Sequence, residues 1–358
     1  MTRKSITPLN EYEAKRIALI KPSALGDVVH CLPLLAAVRK RFPKAHLAWI
    51  VNAGYAPLLE GHPDLDAIIP FDRSAMRHGA WQGLRRLGHF LKQLRAEQFD
   101  LVLDMQGLLR SGIMCRATGA RRRVGLATAR EGARFAYTDV IAVPNVANLH
   151  AVDRYGLAAR ALGCAFPTSF HVPIATQARD SATRFLSGQA RPWLMFGVGA
   201  RWLTKRWPPS HFAELANRAQ RLTGGTAIFV GGPEDKQLAQ STVASIDGPH
   251  LDLTGRTTLA ELAAVLERAD VMIANDTGPL HLAVALGRPV VAPYTCTRVR
   301  LTGPYGAYHQ AVESRVWCAG SCVKECGRME CMAELTPDRL WPVLRRNLES
   351  WQSSSRSA

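Results

Sequence analysis

The 358-residue chain lacks the features that would place it outside the folded soluble proteins. No apolar stretch approaches the roughly 20 residues needed to cross a bilayer. The first sixteen residues, MTRKSITPLNEYEAKR, contain no apolar core of a signal peptide. The expectation is a cytoplasmic protein. No low-complexity tract is present, and 47% hydrophobic against 21% charged residues excludes a disordered chain. Acidic residues are scarce, with 29 Asp and Glu against 45 Lys and Arg, a formal charge of +16.

The charge excess is uneven. Residues 1–190 hold 26 basic and 14 acidic side chains, and Arg73 to Arg134 alone hold thirteen basic residues against Glu97, Asp100, Asp104 and Glu131. Such a field suits an anionic partner: nucleic acid, anionic lipid or a phosphorylated saccharide. The plain alternative is a solvated surface. Helix-turn-helix, zinc-finger and aromatic-ladder signatures are missing, so a nucleic-acid partner is not expected.

Eight cysteines remain to be placed. Cys31, Cys115, Cys164 and Cys296 are scattered and read as reduced, packed thiols. Cys318, Cys322, Cys326 and Cys331 are clustered with spacings x3, x3, x4, without the C-x2-C pair of zinc ribbons. Three readings stay open for these four: packed thiols, ligands of a structural zinc, or disulfides.

What is present is an alternation of strand and helix, run through twice. RIALIK (16–21), HLAWIV (46–51), DAIIPF (66–71), DLVLDM (100–105) and RRVGL (122–126) read as strands, with helices at 27–42, 81–97, 108–118 and 147–162. The alternation restarts with strands at 192–199, 226–232, 250–255, 270–276 and 289–294, separated by helices at 209–222, 234–246, 258–268 and 279–286. The fold class expected is α/β, two doubly wound Rossmann-like domains facing a central cleft. The boundaries expected are 1–175, a linker at 176–191, a second domain at 192–335 that includes the Cys-rich 317–332, and a C-terminal helix and tail at 336–358.

Four segments at strand ends carry candidate chemistry. KPSALGDVVH (21–30) is neither a P-loop nor G-x-G-x-x-G. Its Asp27 reads either as a helix N-cap or as a general base on an acceptor hydroxyl, with Ser23 and Gly26 beside it. DTGPLH (276–281) places Asp276, Thr277 and Gly278 before a helix with Pro279 in its first turn, an anion site apt for a diphosphate. His281 either faces the phosphates or packs. In GARWLTKRWP (199–208), Lys205 and Arg206 are placed to neutralise phosphate, and Trp202 or Trp207 to brace the loop or line a base pocket. Glu234 of GGPE (231–234) suits ribose hydroxyls, or a plain helix start. Thr257 lies where a base could rest.

Together with DMQGLLRSG (104–112), RRVGLATAREGARFAY (122–137), HAVDRYGLAARALG (150–163) and NDTGPLHLAVALGRPVV (275–291), these segments resemble glycosyltransferase family 9, the ADP-heptose lipopolysaccharide heptosyltransferases of the GT-B fold, and most of all heptosyltransferase I. The resemblance implies that Asp27 is the base, Lys205 the diphosphate lysine and Glu234 the ribose acid, with Asp276, Thr277 and Gly278 forming the phosphate turn. It also implies that Arg110, Arg123, Arg130, His150 and Arg154 face an anionic glycolipid bearing Kdo, at the inner leaflet. The reaction implied is an inverting displacement from ADP-heptose without cofactor or catalytic metal, no Asp-x-Asp pair being present near the diphosphate segments. A family member using another nucleotide sugar or acceptor is the alternative. One departure is Ala200-Arg201-Trp202, where enterobacterial-type proteins carry adjacent threonines.

Overall fold

A computed structural model describes residues 7–72, 80–166, 168–306 and 309–356. Residues 1–6 of the polar N-terminus, and Arg73 and Arg77 of the basic span, lie outside the described residues. The chain divides between Pro173 and Ile174 into two compact units.

In the first unit, β1 (Arg16–Ile20), β2 (His46–Asn52), β3 (Ala67–Phe71), β4 (Leu101–Asp104), β5 (Arg122–Leu126) and β6 (Asp139–Ile141) form one sheet in the order β3-β2-β1-β4-β5-β6. Its helices are α1 (Leu25–His30), α2 (Leu32–Arg41), α3 (Ala80–Ala96), α4 (Leu109–Ala117) and α5 (Ala151–Ala161). The second unit starts with α6 (Thr176–Leu186). Its sheet contains β7 (Trp193–Gly197), β8 (Thr226–Phe229), β9 (His250–Asp252), β10 (Val271–Ala274), β11 (Val290–Tyr294) and β12 (Gln310–Glu313), in the order β12-β11-β10-β7-β8-β9. Around it lie α7 (Pro209–Thr223), α8 (Lys236–Val243), α9 (Leu259–Glu267), α10 (Gly278–Ala285), α11 (Val299–Thr302), α12 (Glu330–Glu334) and α13 (Pro337–Arg356).

Counted from its own first strand, each sheet has the order 3-2-1-4-5-6, with every neighbouring pair parallel. The central strands are near-continuous apolar runs because helices cover both faces. In the second unit Phe196 of β7 stacks on Phe229 of β8 and meets Phe212 of α7 edge-on, closing a core that also takes in Leu340, Leu344 and Leu348 of α13. Where the strand order reverses, between β1 and β4 and between β7 and β10, the following loops diverge and open a crevice at the carboxyl edge, the ordinary ligand site of such sheets.

Three expectations change. The helix expected at 27–42 is two helices broken at Cys31, because Pro33 lacks an N–H and is confined to the first turn of α2. The expected linker 176–191 begins with α6, which packs on α9 of the second unit and is tied to it by Arg179 and Glu267 at 2.8 Å. Strands β6 and β12 were not expected from the sequence.

Candidate functional site

In the first unit the chain leaves β1 at Lys21, turns, and enters α1. Asp27 is the third residue of α1 and Ala24 is its N-cap, so the N-cap reading of Asp27 is corrected by one turn. The carboxylate still serves the helix end, since Oδ2 accepts the Ala24 N–H at 3.2 Å. The same oxygen lies 3.6 Å from Lys21 Nζ, and Oδ1 accepts no hydrogen bond from the described residues. Lys21 is only 3% exposed, whereas the Asp27 side chain is 41% exposed. Burial works against the Lys21 charge, but the Tyr155 hydroxyl and the Asp27 carboxylate more than offset it and hold the ammonium above its usual range. Tyr155 also presents its ring to Nζ, with 5.6 Å to the centroid. The result is a fixed cation behind a carboxylate that faces water.

The loop after β4 braces this turn. Gln106 Oε1 accepts the Ser23 N–H at 3.2 Å, and buried Asp104 accepts the N–H groups of Gln106 and Gly107 through Oδ1 and the Tyr137 hydroxyl, at 2.8 Å, through Oδ2. Burial pushes the Asp104 carboxyl up against those donors. Tyr137 reaches it across Gly125, where a Cβ would lie 2.1 Å from the tyrosine ring. The glycine of the R-VG segment is therefore a requirement of this brace.

The residues assigned to the acceptor side separate into two groups. Gly26 is buried in α1 and Ser23 half-buried before it. His150 caps α5, its Nδ1 accepting the Val152 N–H, with its ring 5.3 Å from His30. Arg154 follows, half-buried, on the first turns of α5. Arg110 and Arg130 are exposed beyond β4 and β5. Arg123 differs, because its guanidinium donates to the carbonyls of Ala136 and Ala120 at 2.7 and 2.6 Å, a bracing geometry. Arg122 beside it is buried, paired with Asp139 at 2.6 Å and donating to the Thr7 carbonyl.

In the second unit the crevice between β7 and β10 is sewn by Asn275. Its Nδ2 donates to the Val198 carbonyl and its Oδ1 accepts the Trp207 N–H. Asp276, next in the chain, is 7% exposed. Its Oδ2 accepts from Lys205 Nζ at 2.6 Å and from Thr297 Oγ1 at 2.7 Å, while Oδ1 faces His281 Nε2 at 3.2 Å. Burial alone would raise this carboxyl, but His281 and the Lys205 charge outweigh it and hold it well below the usual carboxylate range. Asp276 is thus engaged by Lys205, Thr297 and His281, and His281 packs at 5% exposure as its partner.

Above this carboxylate, Thr277 is the N-cap of α10 and no side chain caps the helix. Pro279 has no N–H and Leu280 is buried, which leaves the half-buried Gly278 amide at the positive end of the helix beside Lys205. Lys205 Nζ lies 4.7 Å from the centre of the Trp202 ring. Trp207 is buried with its Nε1 on the Leu335 carbonyl, so it belongs to the core and not to a base pocket. Arg206 Nε donates to the Ala200 carbonyl and braces its own loop.

Glu234 is exposed after β8, and Thr257 half-buried after β9. Asp235 between them is a residue the sequence reasoning missed. It accepts the Gly232 N–H and fills the space that a Cβ on Gly199 or Gly231 would need. Lys21, Tyr155, Asp104, Gln106 and Thr297 were missed as well. The strand-end lysine six residues before Asp27 was the one available signal.

The four clustered cysteines are free thiols. Cys331 is buried in the second core, Cys318 is half-buried, and Cys322 and Cys326 are exposed. Among the described residues no three His, Cys, Asp or Glu side chains are grouped so as to hold a metal ion as placed. The segment is held by its backbone. Cys322 N–H donates to the Cys296 carbonyl at 2.7 Å, and the Val323 carbonyl accepts from Thr204.

Comparison with known proteins identifies the family. Glycosyltransferase family 9 (heptosyltransferase) matches residues 87–332. Lipopolysaccharide heptosyltransferase 1 of Pseudomonas aeruginosa is 32% identical over 318 residues, 87% of each chain. A family 9 glycosyl transferase from Veillonella parvula superposes with a TM-score of 0.83 at 24% identity, covering 94% of this chain and 98% of its own. E. coli heptosyltransferase WaaC, solved with ADP, gives 0.72 at 25% identity, covering 93% and 99%. The chain belongs to glycosyltransferase family 9, the heptosyltransferases, and is a glycosyltransferase built of two Rossmann-like domains of the GT-B type.

Proposed function

We propose that this chain transfers a heptose from ADP-heptose to the Kdo-bearing inner core of a lipopolysaccharide precursor, inverting the anomeric centre without a catalytic metal. The observation that carries the reading is Lys205, held by a buried carboxylate at the uncapped start of α10. An ammonium beside the amide end of a helix is suited to a diphosphate. The names of three relatives support the sugar and the pathway, since the Pseudomonas aeruginosa protein and E. coli heptosyltransferase 1, at 28% identity, are described as lipopolysaccharide heptosyltransferases and E. coli WaaC is a heptosyltransferase solved with ADP.

In this mechanism Asp27 takes the proton of the acceptor hydroxyl as that oxygen attacks the anomeric carbon from the face opposite ADP. Lys21 limits the movement of the carboxylate while leaving Oδ1 open. Lys205 and the Gly278 amide at the start of α10 carry the charge that develops on the departing diphosphate, a task that divalent metals perform elsewhere. Glu234 and Thr257 hold the nucleoside. The acceptor is an anionic glycolipid at the cytoplasmic face of the inner membrane, met by the basic first unit.

The test is Asp27→Asn. Asparagine still accepts the Ala24 N–H but no longer balances the buried Lys21 charge, so some stability should be lost while the folded variant keeps its ADP affinity and transfer falls by about a hundredfold or more. A variant that retains most of the parent rate would leave Asp27 as a helix-end residue only.

A further inference from the structure

Lys205 enters the candidate diphosphate site with its charge already balanced, because its ammonium is paired with the Asp276 carboxylate at 2.6 Å. A nucleoside diphosphate carries more negative charge than one such ammonium and a helix end can offset. The second unit brings a further cation to the same place, from the Cys-rich segment.

The route is a set of backbone tethers. Lys205 ends a single turn, Leu203–Lys205, and Thr204 within it is 3% exposed. Thr204 Oγ1 donates to the Val323 carbonyl at 2.6 Å, its N–H reaches the Lys324 carbonyl at 3.5 Å, and its own carbonyl accepts from the Thr295 hydroxyl. The N–H groups of Cys322 and Gly320 extend the attachment, donating to the Cys296 and Thr295 carbonyls at 2.7 and 3.3 Å. Gly320 has a φ of +74°, and a Cβ on it would lie 2.5 Å from Arg298 Cγ, so conformation and close approach both call for glycine. Hydrogen bonds thus hold the stretch from Gly320 to Lys324 against the loops that follow β7 and β11.

At the end of this stretch Lys324 places its Nζ 5.5 Å from the centre of the Trp202 ring, and Lys205 Nζ lies 4.7 Å from the same centre. Trp202 is half-buried and Lys324 exposed. Among the described residues no carboxylate lies within ion-pair distance of Lys324. Two like charges on one ring repel, and the ring returns little to either at a wet site. An anion that meets both replaces that repulsion with attraction.

We infer that Lys324 is a second diphosphate-binding residue, which meets the phosphates of the donor together with Lys205, the two ammonium groups being gathered on Trp202. The inference rests on the donor reading above. It gives the Cys-rich segment a task in donor binding, since the same backbone that fixes the Lys205 turn delivers the added charge.

The test is isothermal titration calorimetry with ADP, AMP and adenosine on the parent, Lys324→Gln, Lys324→Arg and Arg328→Gln. Arg328 is an exposed cation of the same segment, 3.9 Å from Glu330, and controls for net charge alone. The expected result is that Lys324→Gln weakens ADP by about tenfold, with a smaller loss for AMP and none for adenosine. Lys324→Arg should restore most of the ADP affinity, and Arg328→Gln should bind as the parent does. Unchanged ADP affinity in Lys324→Gln overturns the inference. So does an equal loss for ADP and adenosine, which marks a packing role, or an equal loss in Arg328→Gln, which marks net charge. If the parent binds GDP or UDP and not ADP, the ADP-heptose reading falls, while the same comparison on that diphosphate still decides Lys324. A parent that binds no nucleoside diphosphate overturns both.

Discussion

At the scale of single residues, the pair Lys205 and Asp276 makes a stability statement. The folded Asp276 carboxyl titrates below its ordinary range, so its contribution is present above the unfolded value, near 4 for a carboxylate, and is lost as pH falls through the lower folded value. Asp276→Asn removes one partner of a buried pair and should cost about 3 kcal/mol in urea unfolding at pH 7. The gap between parent and variant should hold at neutral pH and shrink once pH drops below about 4. A gap that does not depend on pH would show that the carboxylate charge is not what holds Lys205. Sequence patterns pointed to Lys205 and to Asp276, but not to their contact. They lie 71 positions apart, and only the adjacency of β7 and β10 brings them together. Asp27 was placed one turn off because Leu25 and Gly26 join the helix, which no local signal announces.

At the scale of elements, the helices after β3 and β4 and the turn after β5 raise a membrane prediction. Trp81 is 86% exposed on α3 and Phe135 94% exposed after β5, with Leu84 and Leu109 also exposed. Arg85 and Arg134 are exposed near them in sequence. By connectivity these elements begin at the carboxyl edge of the first sheet, the edge that holds Asp27. None of the described helices is long and apolar enough to cross a membrane. Binding to anionic vesicles should therefore have two parts. Arg85→Glu/Arg134→Glu should weaken it most at low salt, where each basic residue contributes about 1 kcal/mol. Trp81→Ser/Phe135→Ser should remove the fraction that survives high salt. Sedimentation that neither double variant changes would contradict this contact. Reversing Arg122 would be a poor probe, since its pair with Asp139 is buried. The elements themselves were readable where apolar runs were long. The strands β6 and β12 escaped because both are short and only half-buried, and so carry no apolar run. The break at Cys31 was obscured by apolar residues that keep helical spacing on both sides of it.

At the scale of the whole molecule, one strand order used twice explains why the candidate residues fall where they do. The reversal point of each sheet supplies a crevice, one lined by Lys21 and Asp27, the other by Lys205, Asp276 and the start of α10. The alternation of strand and helix made this architecture readable in the sequence. The Cys-rich segment was not readable in the same way, because its spacing fitted several chemistries and its backbone contacts with residues 204 and 296 are set by tertiary packing. The most direct measurement is mass spectrometry of a Kdo-bearing lipid acceptor after incubation with the purified protein, ADP-heptose and EDTA. The account predicts a mass gain of one heptosyl residue that depends on ADP-heptose and is undiminished by the chelator. Transfer that stops with EDTA and returns with a divalent ion would contradict the assignment of the diphosphate charge to Lys205 and α10. An unchanged acceptor, with ADP shown to be bound, would contradict the proposed reaction itself.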